Sequence, residues 1–313
     1  MDRYYQKINE ILADIYHSQG EKMKQSAQLI ANTISEDGIV HIFGCGHSHL
    51  ICEEVFYRAG GLVPINAILD PGLMLHEGAA KSSRLERLEG YGPLLIDNYN
   101  LEPRDLLIVV SNSGINSVPI EMALCAKTRG LKVLAITSSC YFDEKSRHSS
   151  GKHLWEVVDL YIDSLVELGD ATLELEGTPL KVGPSSTMAA TFMINCLMVE
   201  AAGELKKRGI TPPVFTSNNA TGGEAHNREY LEKYKGRLKH LYKRGELMGR
   251  KKPKITVMGL YGASIFMGVE RFPKKGETVI SREYLTEPGG KGFNQAVALA
   301  RFGASVCFIT AVG

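Results

Sequence analysis

The chain has 313 residues, 44% of them hydrophobic, with 36 basic and 35 acidic side chains. That length buries a sizeable core in one large domain or two smaller ones. A formal charge of +1 excludes the strong basic surplus that nucleic-acid and membrane-surface proteins need.

The six cysteines are scattered without a CxxC pair. This fits reduced thiols in the cytoplasm better than a disulfide framework or a zinc site. The opening residues, Met1 to Tyr5, hold no apolar run of the signal-peptide type. The most apolar stretch, residues 188–199, is interrupted by Thr191 and Asn195 and stops at Glu200. It is too short to span a bilayer and reads as a buried helix. The expectation is a cytoplasmic protein with no nucleic-acid or membrane partner, no cofactor and no metal.

Along the chain, Ile8, Ile11, Leu12, Ile15, Met23, Ala27 and Ile30 recur at helical spacing and predict a helix over 3–34. Residues 38–43 read as a strand ending at Gly44, and a helix follows over 48–59. Residues 62–69 form a second strand, closed by the turn Asp70-Pro71-Gly72. Strand, helix and strand then follow over 105–110, 118–128 and 131–136, with a short strand at 160–162. Two long helices are expected over 184–207 and 223–247.

This alternation predicts an α/β fold: a doubly wound parallel sheet flanked by helices. In such sheets ligands bind beyond the carboxyl ends of the strands, so chemistry is expected after Phe43, Val110 and Ile136. Near residue 245 the texture changes. Residues 246–253 include Gly249-Arg250-Lys251-Lys252-Pro253 and read as a linker. Beyond it come a strand over 254–259, a second strand over 278–284, a Gly-rich turn over 288–292, a helix to Phe302 and a strand over 306–310. Residues 254–313 thus make an incomplete α/β fragment.

Three strand ends carry hydrogen-bonding loops. The first is Gly44-Cys45-Gly46-His47-Ser48, where glycines let the backbone approach an anion and a helix N-terminus favours negative charge. The second is Ser111-Asn112-Ser113-Gly114-Ile115-Asn116-Ser117, a nest of small donors suited to a dianion. The third, Thr137-Ser138-Ser139, adds three hydroxyls. Each alone could be an ordinary capped turn. Three in succession point to a phosphate site. His47 and His49 diverge by roughly 200° on a helix start and make a poor chelate.

The loops together resemble the sugar-isomerase (SIS) family of phosphosugar-binding domains over residues 1–245, nearest to the branch carrying GCGHSH and SNSG. The resemblance implies that the loop Ser-x-Ser-Gly-x-Thr grips a sugar phosphate. Ser111, Asn112, Ser113 and Gly114 match it, and Asn116 stands in the last place, where its amide still donates. Gly44, Gly46, His47 and Ser48 belong to the first loop, and Thr137 and Ser138 to the third. Ser185 and Ser186 enter the helix that borders the sugar pocket in this family.

The glutamate that family isomerases carry on the helix after the first loop falls at Arg58. An isomerase still needs a positioned base, and the candidates are Glu54, His76, Glu77 and His226. The resemblance also implies a homodimer, with His226 reaching a neighbouring site.

The second part resembles the start of the ribokinase (PfkB) family. It does so through Gly289-Gly290-Lys291-Gly292-Phe293-Asn294 and the following Ala300-Arg301-Phe302-Gly303-Ala304. Gly289, Gly290, Lys291 and Asn294 would be a sugar-binding remnant, with Ser264 where the family has an aspartate. That family's nucleotide site and catalytic base lie further on, so this chain by itself is not expected to act as a kinase. Three functions follow as expectations. The first is a phosphosugar isomerase or related lyase, the second a non-catalytic phosphosugar sensor or regulatory subunit, and the third the front part of a bifunctional isomerase–sugar kinase.

Overall fold

Short apolar runs bounded by turn residues become the strands of a central sheet, and the longer periodic segments become the helices that cover it. The computed structural model describes residues 1–241 and 254–311. The predicted linker at 246–253 lies outside the described residues, as do Val312 and Gly313. The chain divides into two compact units, Met1–Leu241 and Tyr242–Gly313.

The first unit opens with α1 (Asp2–Ser35), then β1 (Val40–Gly44), a single 3-10 turn (Gly46–Ser48), α2 (His49–Val55) and β2 (Ile65–Ile68). Two short helices, α3 (Ala79–Leu85) and α4 (Tyr91–Ile96), precede β3 (Leu106–Val110). Then come α5 (Ser117–Thr128), β4 (Lys132–Thr137), α6 (Leu154–Val157) and β5 (Leu160–Asp163). A small hairpin of β6 (Leu173–Glu174) and β7 (Lys181–Val182) leads into α7 (Ser186–Lys207) and α8 (Gly223–Lys233).

The sheet is five-stranded in the order β2-β1-β3-β4-β5, and every pairing in it is parallel. The strand period of two sorts side chains onto two cores. On β3, Leu106, Ile108 and Val110 join the layer containing α1 and α7, whereas Leu107 and Val109 join the layer containing α5. Covered on both faces, β1 and β3 are buried along their whole length. The chain leaves β1 toward β2 on one side and returns to β3 on the other. The topological switch point of the sheet therefore lies between β1 and β3.

Several boundaries differ from the expectations. The helix expected over 48–59 ends at Val55, and Tyr57 takes a positive φ of 49°, which a continuing helix cannot contain. The helices α3 and α4 were not foreseen, because seven and six residues are too few to show a helical period. The last helix of the unit stops at Lys233 instead of continuing toward 247. Helix α7 is 22 residues long and apolar enough, by length and composition, to cross a membrane. Its Met193, Ile194, Leu197 and Met198 are buried in the core layer shared with α1.

The second unit contains β8 (Lys254–Met258), β9 (Gly262–Gly268), β10 (Glu283–Gly289), α9 (Lys291–Arg301) and β11 (Ser305–Ile309). Strands β8 and β11 pair in parallel, and β9 and β10 pair antiparallel. The strand expected at 278–284 thus lies later, and residues 288–289 end a strand instead of opening the turn. Gly268 faces Glu283 and Gly262 faces Gly289, so the register is set by β9, which no sequence reading had placed.

Candidate functional site

At the switch point, the loops after β1 and β3 and the start of α7 enclose a cleft with about 620 Å³ of empty volume. Its wall includes His47 and Ser48 from the first loop, Ser111, Asn112 and Ser113 from the second, and Ser186 from α7. A smaller depression beside it shares His47, Ser48, Asn112 and Ser186.

The loop geometry depends on two glycines. Gly114 has φ +61°, and a Cβ there would lie 2.8 Å from Thr137 Oγ1 and 3.2 Å from the Trp155 ring. Gly44 allows the turn to fold back on itself: a Cβ would meet the Ser48 carbonyl at 2.5 Å. Gly46 also takes a positive φ, +54°.

The hydroxyls fall into two groups. Among the described residues, Ser48 and Ser113 make no side-chain hydrogen bond, so both remain available to a ligand in the cleft. Ser111 is only 7% exposed, and its Oγ accepts from Gly114 N at 3.2 Å, which leaves its O–H to donate. Asn112 Oδ1 accepts from Ser164 Oγ at 3.2 Å, which orients its amide.

Thr137 and Ser138 differ from expectation. Both are fully buried, Thr137 Oγ1 donating to the Asn112 carbonyl and Ser138 Oγ to the Val166 carbonyl. They shape the second loop from beneath instead of facing the cleft.

At the start of α7, the Asp170 carboxylate already takes the donors. It accepts from Ser185 N at 2.9 Å, Ser186 N at 2.7 Å and Ser186 Oγ at 2.5 Å. Ser185 is buried beneath it, while Ser186 reaches the cleft wall. Asn116 also differs from the expected phosphate donor. Its Nδ2 donates to Glu86 Oε1 at 2.9 Å and its Oδ1 accepts from Arg147 Nη1 at 2.7 Å.

None of the four expected bases lines the cleft. Glu54, on α2, accepts from Asn195 Nδ2 and pairs with Arg58 beyond the helix end. His76 is exposed, and Glu77 pairs with Lys81 on the surface. His226 Nε2 donates to the Val214 carbonyl and its ring lies edge-on to Tyr230. The titratable carboxyls on the cleft wall are instead Glu86 and Asp170, neither of which the sequence reading selected. Burial raises the Glu86 carboxyl above its ordinary value, opposed by Arg87 and Arg147. Glu86 lies in the charged run Arg84-Leu85-Glu86-Arg87-Leu88-Glu89, which reads as a solvated surface.

His47 and His49 part company: His47 is exposed at the cleft, whereas His49 is buried, with Nδ1 3.2 Å from Glu53 Oε1. Among the described residues, no group of three His, Cys, Asp or Glu is placed to hold a metal.

In the second unit, Gly289 ends β10, Gly290 takes φ +104°, and Lys291 and Asn294 lie on the first turns of α9. Ser264 sits against this turn, since a Cβ on Gly289 would be 2.1 Å from its Oγ. A Cβ on Gly292 would be 2.7 Å from the Gly259 backbone. The turn thus admits only glycine at both places.

Residues 3–138 match the SIS domain family, and residues 254–313 match the pfkB family of carbohydrate kinases. A UPF0309 protein of Caldanaerobacter subterraneus subsp. tengcongensis is 47% identical over 245 residues, which are 77% of this chain and 100% of the relative. A UPF0309 protein of Geobacillus thermodenitrificans is 44% identical over 239 residues, covering 76% of this chain and 96% of that protein. A solved phosphoheptose isomerase from Neisseria gonorrhoeae aligns with 64% of this chain and 96% of its own, with 13% identity and a TM-score of 0.46. With near-complete coverage of relatives above 40% identity, the chain belongs to the UPF0309 family, its SIS domain followed by a partial match to a pfkB-type kinase.

Proposed function

We propose that the first unit binds a phosphorylated sugar or amino sugar and isomerises it by proton transfer between adjacent carbons. The observation that carries this reading is the convergence of Ser48, Ser111 and Ser113 on one cleft at the switch point of a parallel sheet. Hydroxyl donors and the N-terminus of the 12-residue α5 suit a phosphate dianion, and no lysine is required. The first two loops that line the cleft fall within the SIS match. The remaining wall, with Asn112, His47 and a carboxyl, offers polar partners for sugar hydroxyls.

The test is calorimetry with a panel of hexose, hexosamine and ketose phosphates and their unphosphorylated parents, followed by NMR of the same mixtures. The reading expects binding that depends on the phosphate group and interconversion of at least one aldose–ketose pair. Failure of every phosphate to bind would overturn it. Phosphate-dependent binding without turnover would remove the isomerase half and leave a sensor.

A further inference from the structure

We infer that Glu86 carries the proton between carbons in this cleft, and that Asn116 and Arg147 are the residues that position it. The inference rests on the phosphosugar reading above and goes beyond it by naming the group that moves the proton.

Glu86 follows α3 directly, and the start of α5 holds it twice. Its carbonyl accepts from Val118 N at 3.0 Å, and its Oε1 accepts from Asn116 Nδ2 at 2.9 Å. The loop that enters α5 also presents Ser111 and Ser113. The carboxyl and the phosphate donors are therefore fixed to one element, which holds their separation constant, as proton abstraction at a set distance from a bound phosphate requires.

Arg147 decides the orientation of the amide between them. A guanidinium only donates, so the oxygen of Asn116 must face Arg147 and its NH₂ must face Glu86. Arg147 is itself anchored through its backbone, its N–H donating to the Ile115 carbonyl at 2.9 Å and its carbonyl accepting from Ser117 Oγ at 3.2 Å. Among the described residues, Glu86 Oε2 makes no hydrogen bond, and the residue lines the cleft. One carboxyl oxygen is thus tethered and the other is available. The last position of the second loop, an Asn instead of a Thr, holds the acid–base group instead of the phosphate.

The chemistry balances with water as the only other participant. Glu86 carboxylate removes the hydrogen on C2 of the aldose as a proton. The C–H electron pair becomes the C1=C2 bond of an enediol, and the carbonyl oxygen takes a proton from water. The protonated Glu86 then delivers its proton to C1 while the C2 hydroxyl loses its proton to the hydroxide left behind, and the C2 carbonyl forms. Nothing is oxidised or reduced overall. Burial, which raises Glu86, brings its proton affinity nearer to neutral pH than that of a solvated carboxyl, as a general base requires.

The experiment uses the full chain as wild type, Glu86→Gln, Glu86→Asp and Asn116→Ala, with the same sugar-phosphate panel in D₂O. Calorimetry reads binding, and proton NMR reads deuterium incorporation at carbon. Glu86→Gln should bind within about threefold of wild type while exchange falls by roughly 10²–10⁴-fold. Glu86→Asp, which keeps the carboxyl, should retain part of the exchange and covers the case in which the glutamine variant does not fold.

Asn116→Ala should move the NMR-observed titration of the Glu86 carboxyl to higher pH, because the charged form loses a donor. That readout is independent of turnover, and an unmoved titration overturns the positioning role. Wild-type exchange in both Glu86 variants overturns Glu86 alone. Binding without exchange in the wild type overturns this assignment together with the isomerase reading, but leaves phosphosugar binding intact.

Discussion

Arg237 Nη2 donates to both carboxylate oxygens of Asp105, at 2.8 and 3.0 Å, closing a buried network at the amino ends of the strands, opposite the cleft. Asp105 Oδ1 also accepts from Ile39 N, and Oδ2 from Glu102 N and His41 Nε2. The histidine tautomer follows from its neighbours. Asn66 Oδ1 accepts from Lys239 N, so Asn66 Nδ2 faces His41 Nδ1 and leaves Nε2–H to donate to Asp105. Burial pushes this carboxyl up, yet the donors from His41, Glu102 and Ile39 hold it below its ordinary value.

A carboxyl lowered by folding contributes stability above its unfolded-state value, and that stability is lost as pH falls through the folded value. Asp105→Asn should therefore cost about 3–5 kcal/mol at neutral pH, because it leaves Arg237 and its neighbours without their anion. The cost should shrink in acid, where wild type protonates too. Urea unfolding at neutral pH and at a pH well below the ordinary aspartate range checks this, and a loss that is no smaller in the more acidic sample would contradict the account.

Glu86 has the opposite sign. Its carboxyl is raised by burial, so the stability linked to its proton is present below the unfolded-state value and lost as pH rises through the folded one. Glu86→Gln, which stays neutral, should raise the melting temperature at pH 8 and leave it nearly unchanged at pH 4. A variant less stable than wild type at pH 8 would show that the charged form is the one the fold prefers.

For the phosphate cradle, Ser113→Ala and Ser111→Ala should each weaken sugar-phosphate binding by about 1.5–3 kcal/mol, the range for hydrogen bonds to charged groups, which is tenfold or more. Ser113→Ala should leave the melting temperature unchanged, since its hydroxyl has no partner among the described residues to lose. Thr137→Val and Ser138→Ala should reverse that pattern, costing stability first, because both hydroxyls are spent inside the protein. Parallel calorimetry and thermal melts on the four variants separate the two behaviours.

Gly114→Ala tests the loop itself. At φ +61° a side chain pays roughly 1–2 kcal/mol, and its Cβ would press on Thr137 Oγ1 and Trp155. The expected result is a lowered melting temperature together with weakened phosphate binding, because the loop must shift to relieve the contact. Unchanged affinity would mean that the loop conformation is not what holds the anion.

The parallel sheet and its switch-point loops were legible because fully buried strands leave continuous apolar runs and because Gly, Ser and Asn cluster where strands meet helices. Direction was not legible. A hydroxyl at a strand end can face an open cleft, as Ser113 does, or a carbonyl beneath it, as Ser138 does, and composition is the same in both cases. Glu54 pairs with Arg58, four residues on and beyond the end of α2, which makes it a poor free base. Glu86 was hidden because α3 ends just before it, and a seven-residue helix shows no period that would mark which side faces inward. Its burial comes from α5 and from the segment bearing Arg147, both distant in sequence.

The second unit presents a different balance. Its two sheets have two strands each, and a two-stranded pair is marginal in water. Parallel pairs such as β8–β11 normally lie covered on both faces. Here Met258 on β8 and Ile309 on β11 are exposed, as are Ile265, Phe266 and Met267 on β9. Opening such strands uncovers little apolar surface that is not already in water, so the free energy opposing local opening is small. Amides within 254–311 should therefore exchange roughly a hundredfold faster than those of β1, β3 and β4, which are buried on both faces. Hydrogen–deuterium exchange on the intact chain measures this directly. Equal protection in the two regions would mean that the exposed faces of the second unit are covered in solution.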